Sequence, residues 1–312
     1  MIRQSFARLK NVTALESGFS VTPRPLISHS EIGLLKKDIP LLYSGSFASR
    51  QYPDEWHYRP GFSKENVTRE VCNAWKSSPT IASLVLSPTI AEYVAKFMGW
   101  SSIRVGQDDV IQKPKSEVSK VGWHRDFSYI NSNFTGGGED GCTVWIGLDG
   151  ATEENGGVKY AVGSQNWAME PLRDGVDSGF MSGASDPLAY LRRYTEGVQD
   201  DIEISCPEVA AGHAIIHHSK VFHGSSNNRS DDNMREAIVV HYINGDCHWK
   251  ESKSSLPWGD ASYIYGRYRR VGEVELAEDH FPIVWSEGGE GDKAITPWVK
   301  TYIGEGMGIQ EG

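Results

Sequence analysis

The chain has 312 residues with 41 acidic against 31 basic side chains, and a formal net charge of −10 argues against nucleic acid or an anionic membrane surface as its partner. Hydrophobic residues make up 39%, enough at this length to bury one substantial core, and aromatic side chains are plentiful at 10 Trp, 13 Tyr and 10 Phe. No run of about 18 apolar residues reads as a membrane span, the opening Met1-Ile2-Arg3-Gln4-Ser5-Phe6 lacks a signal peptide's apolar centre, and Cys72, Cys142, Cys206 and Cys247 lack CxxC spacing, so an intracellular, cytoplasmic protein with free thiols is expected.

In chain order, Ser17–Val21 reads as a short strand. Ser28 or Ser30 caps a helix through Ile32, Leu34 and Leu35, which Pro40 stops. The aromatic and polar stretch from Tyr43 to Phe62 reads as a loop able to cover a site. Asn66 to Trp75 has helical spacing. Ser78-Pro79 and Ser87-Pro88 are both cap-then-proline helix starts, with Gly99 as a stop, so two helices are expected over about 68–98. Beyond Trp100 the texture changes to strands: Ile103–Gln112, then Val121–Tyr129, then Cys142–Leu148 after the glycine-rich loop 131–141. Glu154-Asn155-Gly156-Gly157 reads as a hairpin turn returning into Val158–Val162. Residues 166–200 form an insertion with little strand character, in which Tyr190–Tyr194 reads as helical. Ile202–Val209, Ala214–His218 and Ala237–Ile243 are further strands, and the tail after Trp249 is irregular.

Helices followed by many short strands predict a mainly β protein with flanking helices: a jelly roll, or cupin-like barrel, in a single domain spanning 1–312. Its expected parts are a helical flank at 1–100, a β-barrel core at 101–250 holding the 166–200 insertion, and an irregular extension at 251–312. Four Asn-x-Ser/Thr matches, at Asn11, Asn66, Asn133 and Asn228, are read as chance, because two flank the candidate site residues.

Within Val121–Tyr129, His124 and Asp126 lie two apart and, on a strand, point to one face. His223 in Val221-Phe222-His223-Gly224-Ser225 is the best third ligand. Two histidines and a carboxylate with other positions open suit a non-haem Fe(II) oxygenase. His-x-Asp alone is a weak signal; its place at a strand end, and the small Gly224 and Ser225 after His223, strengthen it. His213, His217, His218 and His241 are read as structural. If 2-oxoglutarate supplies the electrons, its far carboxylate needs a cation. Arg235, twelve residues past His223 at the start of a returning strand, has the planar fork for that contact. Ser225 can donate to the same carboxylate, and Trp145 offers a flat wall and one N–H.

These residues are similar to those of a known family. Trp123-His124-Arg125-Asp126-x-x-Tyr129, Trp145-Ile146-Gly147-Leu148-Asp149 with Glu154-Asn155-Gly156-Gly157, the strand ending Gln112-Lys113-Pro114, and His223-Gly224-Ser225…Asn228…Arg235 together resemble the phytanoyl-CoA dioxygenase (PhyH) family of Fe(II)/2-oxoglutarate oxygenases. The resemblance covers most of the chain. It implies a double-stranded β-helix, with His124, Asp126 and His223 as iron ligands. Arg235, Ser225 and Trp145 would surround 2-oxoglutarate, and the strand carrying Gln107, Asp109 and Ile111 would line that pocket. It also implies use of O2, release of succinate and CO2, and oxidation of an unactivated C–H bond. Halogenating relatives replace the carboxylate with a small residue, so Asp126 favours hydroxylation, desaturation or oxidative cyclisation.

Phe127, Tyr129, Tyr242 and Trp249, near these positions in sequence, are expected substrate contacts, and Arg192 and Arg193 in the insertion can meet a substrate carboxylate. The expected substrate is a small, carboxylate-bearing natural product or amino-acid-like molecule. An acyl-CoA or lipid is the alternative, although no basic cluster for nucleotide phosphates is evident. A non-catalytic jelly-roll binding protein and a cupin-like enzyme with another metal are the rival readings. The sequence does not distinguish monomer from homodimer.

Overall fold

A computed structural model describes residues 14–135, 141–167, 191–192, 202–231, 234–251, 263–289 and 299. After the single helical turn α1 (Ala14–Ser17) come β1 (Phe19–Val21) and α2 (His29–Tyr43). Ser28 caps α2 through a full capping box with Glu31. Pro40 does not stop this helix, contrary to expectation. It forfeits one backbone bond in the last turn, but Leu42 and Tyr43 beyond it are buried, and the Tyr43 hydroxyl donates to the Val110 carbonyl at 2.9 Å.

The expected helix at Asn66–Trp75 is instead the strand β3 (Arg69–Cys72), paired with β2 (Glu55–Trp56), and a short 3-10 turn at Ala74–Lys76. Pairing with the long strand β4 (Ser102–Lys113) on its other side outweighs a local helical pattern. The two cap-then-proline starts hold: α3 (Pro79–Val85) and α4 (Pro88–Met98) each have a serine cap, and α4 ends on left-handed Gly99. The stretch Pro79–Met98 has the length and apolarity of a membrane span, but it is divided at Ser87-Pro88 and half of it is buried in the protein.

The remaining strands are β5 (Val121–His124), β6 (Phe134–Thr135), β7 (Gly141–Gly147), β8 (Val158–Ala161), β9 (Ile204–Ser205), β10 (Ala214–His218), β11 (His223–Ser225), β12 (Arg235–Asn244), β13 (His248–Trp249) and β14 (Ile283–Ser286), with a five-residue helix α5 (Phe127–Asn131) after β5. Among the described residues two main antiparallel sheets result, with β6 and β13 forming a separate two-stranded pair. The larger runs β1-β10-β7-β12-β4-β3-β2, with β14 also on β4; the smaller runs β5-β11-β8-β9. Glu154–Gly157 is a turn, as expected, but not a hairpin: β7 belongs to the larger sheet and β8 to the smaller, so the chain crosses between sheets there. The tail is not wholly irregular either, since β14 pairs with β4.

The architecture is mostly β with few helices. Alternation along the central strands sorts side chains to two sides. Ile238, Val240 and Tyr242 of β12, and Cys142, Val144 and Ile146 of β7, pack in a core that includes residues of α2, α3 and α4. Arg235, Val239 and His241 of β12, and Thr143 and Trp145 of β7, face a cavity of about 490 Å³ that the smaller sheet also lines. In β4 a bulge reverses this alternation: Gln107 lies opposite His241 but Val105 opposite Tyr242, leaving Gly106 unpaired. Ile103 and Val105 therefore join the helix-side core, whereas Gln107, Asp109 and Ile111 line the cavity.

All four cysteines are free. Asn133 and Asn228 are buried, Asn228 donating to the Lys113 carbonyl at 3.0 Å, which fits their reading as chance matches to a glycan motif.

Candidate metal centre

His124 ends β5 and His223 begins β11, and the two are direct cross-strand partners with ring centroids 4.2 Å apart. The strands approach closely enough for this because residue 224 is glycine. A Cβ there would lie 3.0 Å from the Val121 carbonyl oxygen and 3.1 Å from that of Gly122. Asp126 joins them by a different route from the one expected. The strand stops at His124, and Asp126 sits at the N-cap of α5 with helical dihedrals (φ −68°, ψ −22°). A turn, not strand alternation, brings its carboxylate to the imidazoles.

The Nε2 atoms of His124 and His223 lie 3.7 and 3.6 Å from Asp126 Oδ1. All three candidate ligand atoms fall within 4.8 Å of one another. The two Nδ1 atoms face backbone carbonyls, His124 toward Gly122 at 2.9 Å and His223 toward Val221 at 3.1 Å, so each ring turns Nε2 inward. The other carboxylate oxygen, Oδ2, is held separately: Thr143 Oγ1 donates to it at 2.6 Å, and His217 Nε2 and His241 Nδ1 lie 3.3 and 3.5 Å away. Oδ1 is thereby left for a metal.

The protonation states suit ligation. Burial first, and then neighbouring imidazoles (His223 for His124, His217 for His223), pushes His124 and His223 down to about 4 against the pull of Asp126, so both are neutral donors near pH 7. Burial acts to raise Asp126, but the imidazoles of His223, His217 and His241 outweigh it and hold the carboxyl well below its ordinary range. Two neutral imidazoles and one carboxylate, oriented by outer partners, are the donor set a non-haem Fe(II) site requires.

Arg235 lines the same cavity. It is buried, its guanidinium lies 5.0 Å from the Trp145 ring centroid, and its Nε and Nη1 have no hydrogen-bond partner among the described residues. Burial lowers it to about 10, still cationic. Ser225 and Trp145 line the cavity as well. Lys113, beside Arg235 on the neighbouring strand, donates from Nζ to Ser225 Oγ at 2.5 Å. Burial, and then Arg235, brings Lys113 down to about 6. Ile111 lies toward the Arg235 end of the sheet. Gln107 and Asp109 lie toward His241 instead, with Asp109 taking a bond from Gln107 Nε2 at 2.9 Å and facing His241 Nε2 at 2.9 Å.

The expected substrate contacts divide. Tyr129 lines the cavity. Phe127 lies under Lys220, whose Nζ is 4.9 Å from its ring centroid, and is not part of the wall. Tyr242 and Trp249 are corrected: both are fully buried in hydrophobic cores away from the cavity, Tyr242 donating to the Val85 carbonyl at 3.1 Å. Arg192 is exposed and does not line the cavity, and Arg193 lies outside the described residues. Replacing Tyr242 with Phe removes that buried bond. It should lower unfolding stability by about 1–3 kcal/mol in denaturant titration and leave substrate-stimulated succinate release unchanged.

His241, His217 and Thr143 form the polar support of Asp126, and sequence reading treated those histidines as bystanders. The signal was available: His241 is six residues from Arg235 on one strand and so shares its face, whereas Tyr242, at seven, faces away. Ile264 and Tyr265 also line the cavity, from the tail that had read as irregular.

A family model described as phytanoyl-CoA dioxygenase (PhyH) matches residues 16–237. The L-proline trans-4-hydroxylase of Streptomyces griseoviridis is 28% identical over 173 residues, covering 52% of this chain; the match spans 62% of that curated relative's length. Among solved structures, the non-haem alpha-ketoglutarate-dependent carbocyclase SnoK from nogalamycin biosynthesis superposes with a TM-score of 0.63 at 20% identity, over 86% of this chain and 93% of its own. The epimerase SnoN, in complex with Fe3+, alpha-ketoglutarate and nogalamycin RO, does so at 0.60 and 18%, over 87% and 95%. At these identities the structural likeness is one of fold.

Proposed function

The chain belongs to the phytanoyl-CoA dioxygenase family of Fe(II)- and 2-oxoglutarate-dependent oxygenases, and from that premise we propose that it oxidises an unactivated C–H bond of a small, carboxylate-bearing natural product or amino-acid-like substrate, on a double-stranded β-helix scaffold. The observation that carries this reading is the pairing, in one cavity, of the His124–Asp126–His223 cluster with a buried arginine, two of whose nitrogens have no described hydrogen-bond partner. A buried cation that leaves its own hydrogen bonds unmade is costly unless a ligand completes it.

His124, Asp126 and His223 would hold Fe(II) on one face, leaving positions open for 2-oxoglutarate and O2. When bound, the iron with its co-substrate and O2 supplies the oxidising power, and succinate and CO2 are the co-products. The chain's own residues provide the placement. Gly122 and Val221 carbonyls set the imidazole rings. Thr143, His217 and His241 engage Asp126 Oδ2, which would leave Oδ1 to hold the metal. Arg235, over Trp145 and beside Ser225, would receive the far carboxylate of 2-oxoglutarate. Val121, Val158, Val239, Ile264 and Tyr265 make an apolar wall that limits water near the reacting C–H bond.

The cavity volume of about 490 Å³ favours a small molecule over a long acyl-CoA. The fold likeness to a carbocyclase and the relationship to a proline hydroxylase support hydroxylation and ring closure equally. Anaerobic addition of Fe(II) and 2-oxoglutarate should produce a weak visible charge-transfer band, and screening small molecules for stimulated succinate release should find the substrate. A chain that binds neither Fe(II) nor 2-oxoglutarate would be a binding protein, and the reading would be wrong.

A further inference from the structure

Glu70 is an acid on the cavity wall that no described residue holds. It projects from β3 opposite Ile111, into the cavity that His124, Asp126 and His223 line, and no described residue donates a hydrogen bond to it or forms an ion pair with it. Its neighbours are already matched. Asp109 takes Gln107 on one oxygen and His241 on the other, and Glu55 is paired with Arg267 and with His57. Burial, followed by the like charges of Asp109 and Glu55, pushes the Glu70 carboxyl well up, as befits an acid lacking its cation. β3 and β12 flank β4, so Glu70 stands about 10 Å across the sheet from the strand that carries Arg235. The cavity therefore has a cationic anchor on β12 and, two strands over, an acid that no described cation is bonded to and that a bound cation would ionise.

We propose that Glu70 reads the charge of the substrate, which carries a protonated amine or another cationic nitrogen docked on this carboxylate; this rests on the oxygenase reading above. A metal ion fits the place less well. The ligand atoms of Glu70, Cys72 and Asp109 lie within 4.8 Å of one another, but both Asp109 oxygens are engaged, and burial raises Cys72 so that it stays a thiol. An ammonium group needs only one charged acceptor. The same placement repels a substrate carboxylate from the β3 side, whereas Arg235 on β12 attracts one, so the two sides of the sheet sort charge.

The test uses the full chain loaded anaerobically with Fe(II) and 2-oxoglutarate. A panel of small primary and secondary amines, L-proline and pyrrolidine among them, is titrated beside the N-acetyl derivative of each, with the visible band as the readout. The wild-type chain should bind its best amine at least about tenfold tighter than the acetylated partner. In Glu70→Gln that preference should fall to about threefold or less, and in Glu70→Lys it should pass to carboxylic acids; the 2-oxoglutarate affinity of each variant reports its folding. Neutral or anionic compounds binding as well as amines overturns the proposal. So does a preference that survives in Glu70→Gln, a panel with no binder while 2-oxoglutarate still binds, or tight Zn(II) binding that Glu70→Gln removes. Loss of the visible band in the wild type instead sinks the oxygenase reading beneath it.

Discussion

Asp126→Ala is expected to abolish succinate formation coupled to substrate oxidation. The loss expected is more than about a hundredfold, above the 10–100-fold typical of losing an outer partner of a metal ligand. The reason lies in how much of the site converges on this one carboxylate. Oδ1 faces the Nε2 atoms of both His124 and His223, and Oδ2 is held by Thr143 with His217 and His241 nearby. Alanine removes the only anionic member of the triad and leaves two neutral imidazoles, a much poorer set for Fe(II). It also strands His217 and His241 beside an empty space. Anaerobic Fe(II) titration and a succinate assay check the two halves. Thr143→Val should show a smaller loss, since it removes one support and no ligand. An Asp126→Ala chain with full coupled turnover would remove this residue from the ligand set.

Arg235→Met should separate stability from function. Affinity for 2-oxoglutarate should fall by about 2–5 kcal/mol, thirtyfold or more, because the co-substrate's far carboxylate loses its charged partner. The ligand-free protein should become no less stable, and its melting temperature should rise rather than fall as after a usual core loss. Nε and Nη1 of Arg235 are buried without partners, which costs about 1–3 kcal/mol for each such group. The contact with the Trp145 ring returns about 0.5–2 kcal/mol. Relief of the first exceeds loss of the second, and methionine fills similar space without polar atoms. Isothermal titration and thermal melting of the apo chain measure both terms. A destabilised chain with intact 2-oxoglutarate binding would make Arg235 a structural residue.

Much of the candidate site could be read from residue types and spacing. His124, Asp126, His223 and Arg235 each carry chemistry that few other residues supply, and the strands that hold His223 and Arg235 fall where alternation and turn residues place them. The serine-proline helix starts were equally plain, because a cap and a proline act on their own backbone and need no distant partner. Local signals failed where pairing with remote strands overrode them. Arg69–Cys72 is a strand because β2 and β4 flank it, and the tail joins the sheet through β14. Tyr242 and Trp249 were near the site in sequence yet faced the wrong way, a matter of strand parity for one and of a separate core for the other.

The chain's composition and its short motifs determined the class of chemistry: two imidazoles, a carboxylate and a guanidinium, in an order that few reactions need. Tertiary structure alone decided which atoms meet. The direct pairing of β5 with β11 sets the histidines side by side, the turn into α5 carries Asp126 to them, and the bulge at Gly106 delivers Gln107, Asp109 and Ile111 to the cavity. It also left Glu70 facing that cavity with no counter-charge bonded to it among the described residues. The division has one physical cause. A side chain's chemistry belongs to the residue, whereas its direction and its partners depend on backbone hydrogen bonds between segments a hundred residues or more apart, such as Arg235 with Lys113.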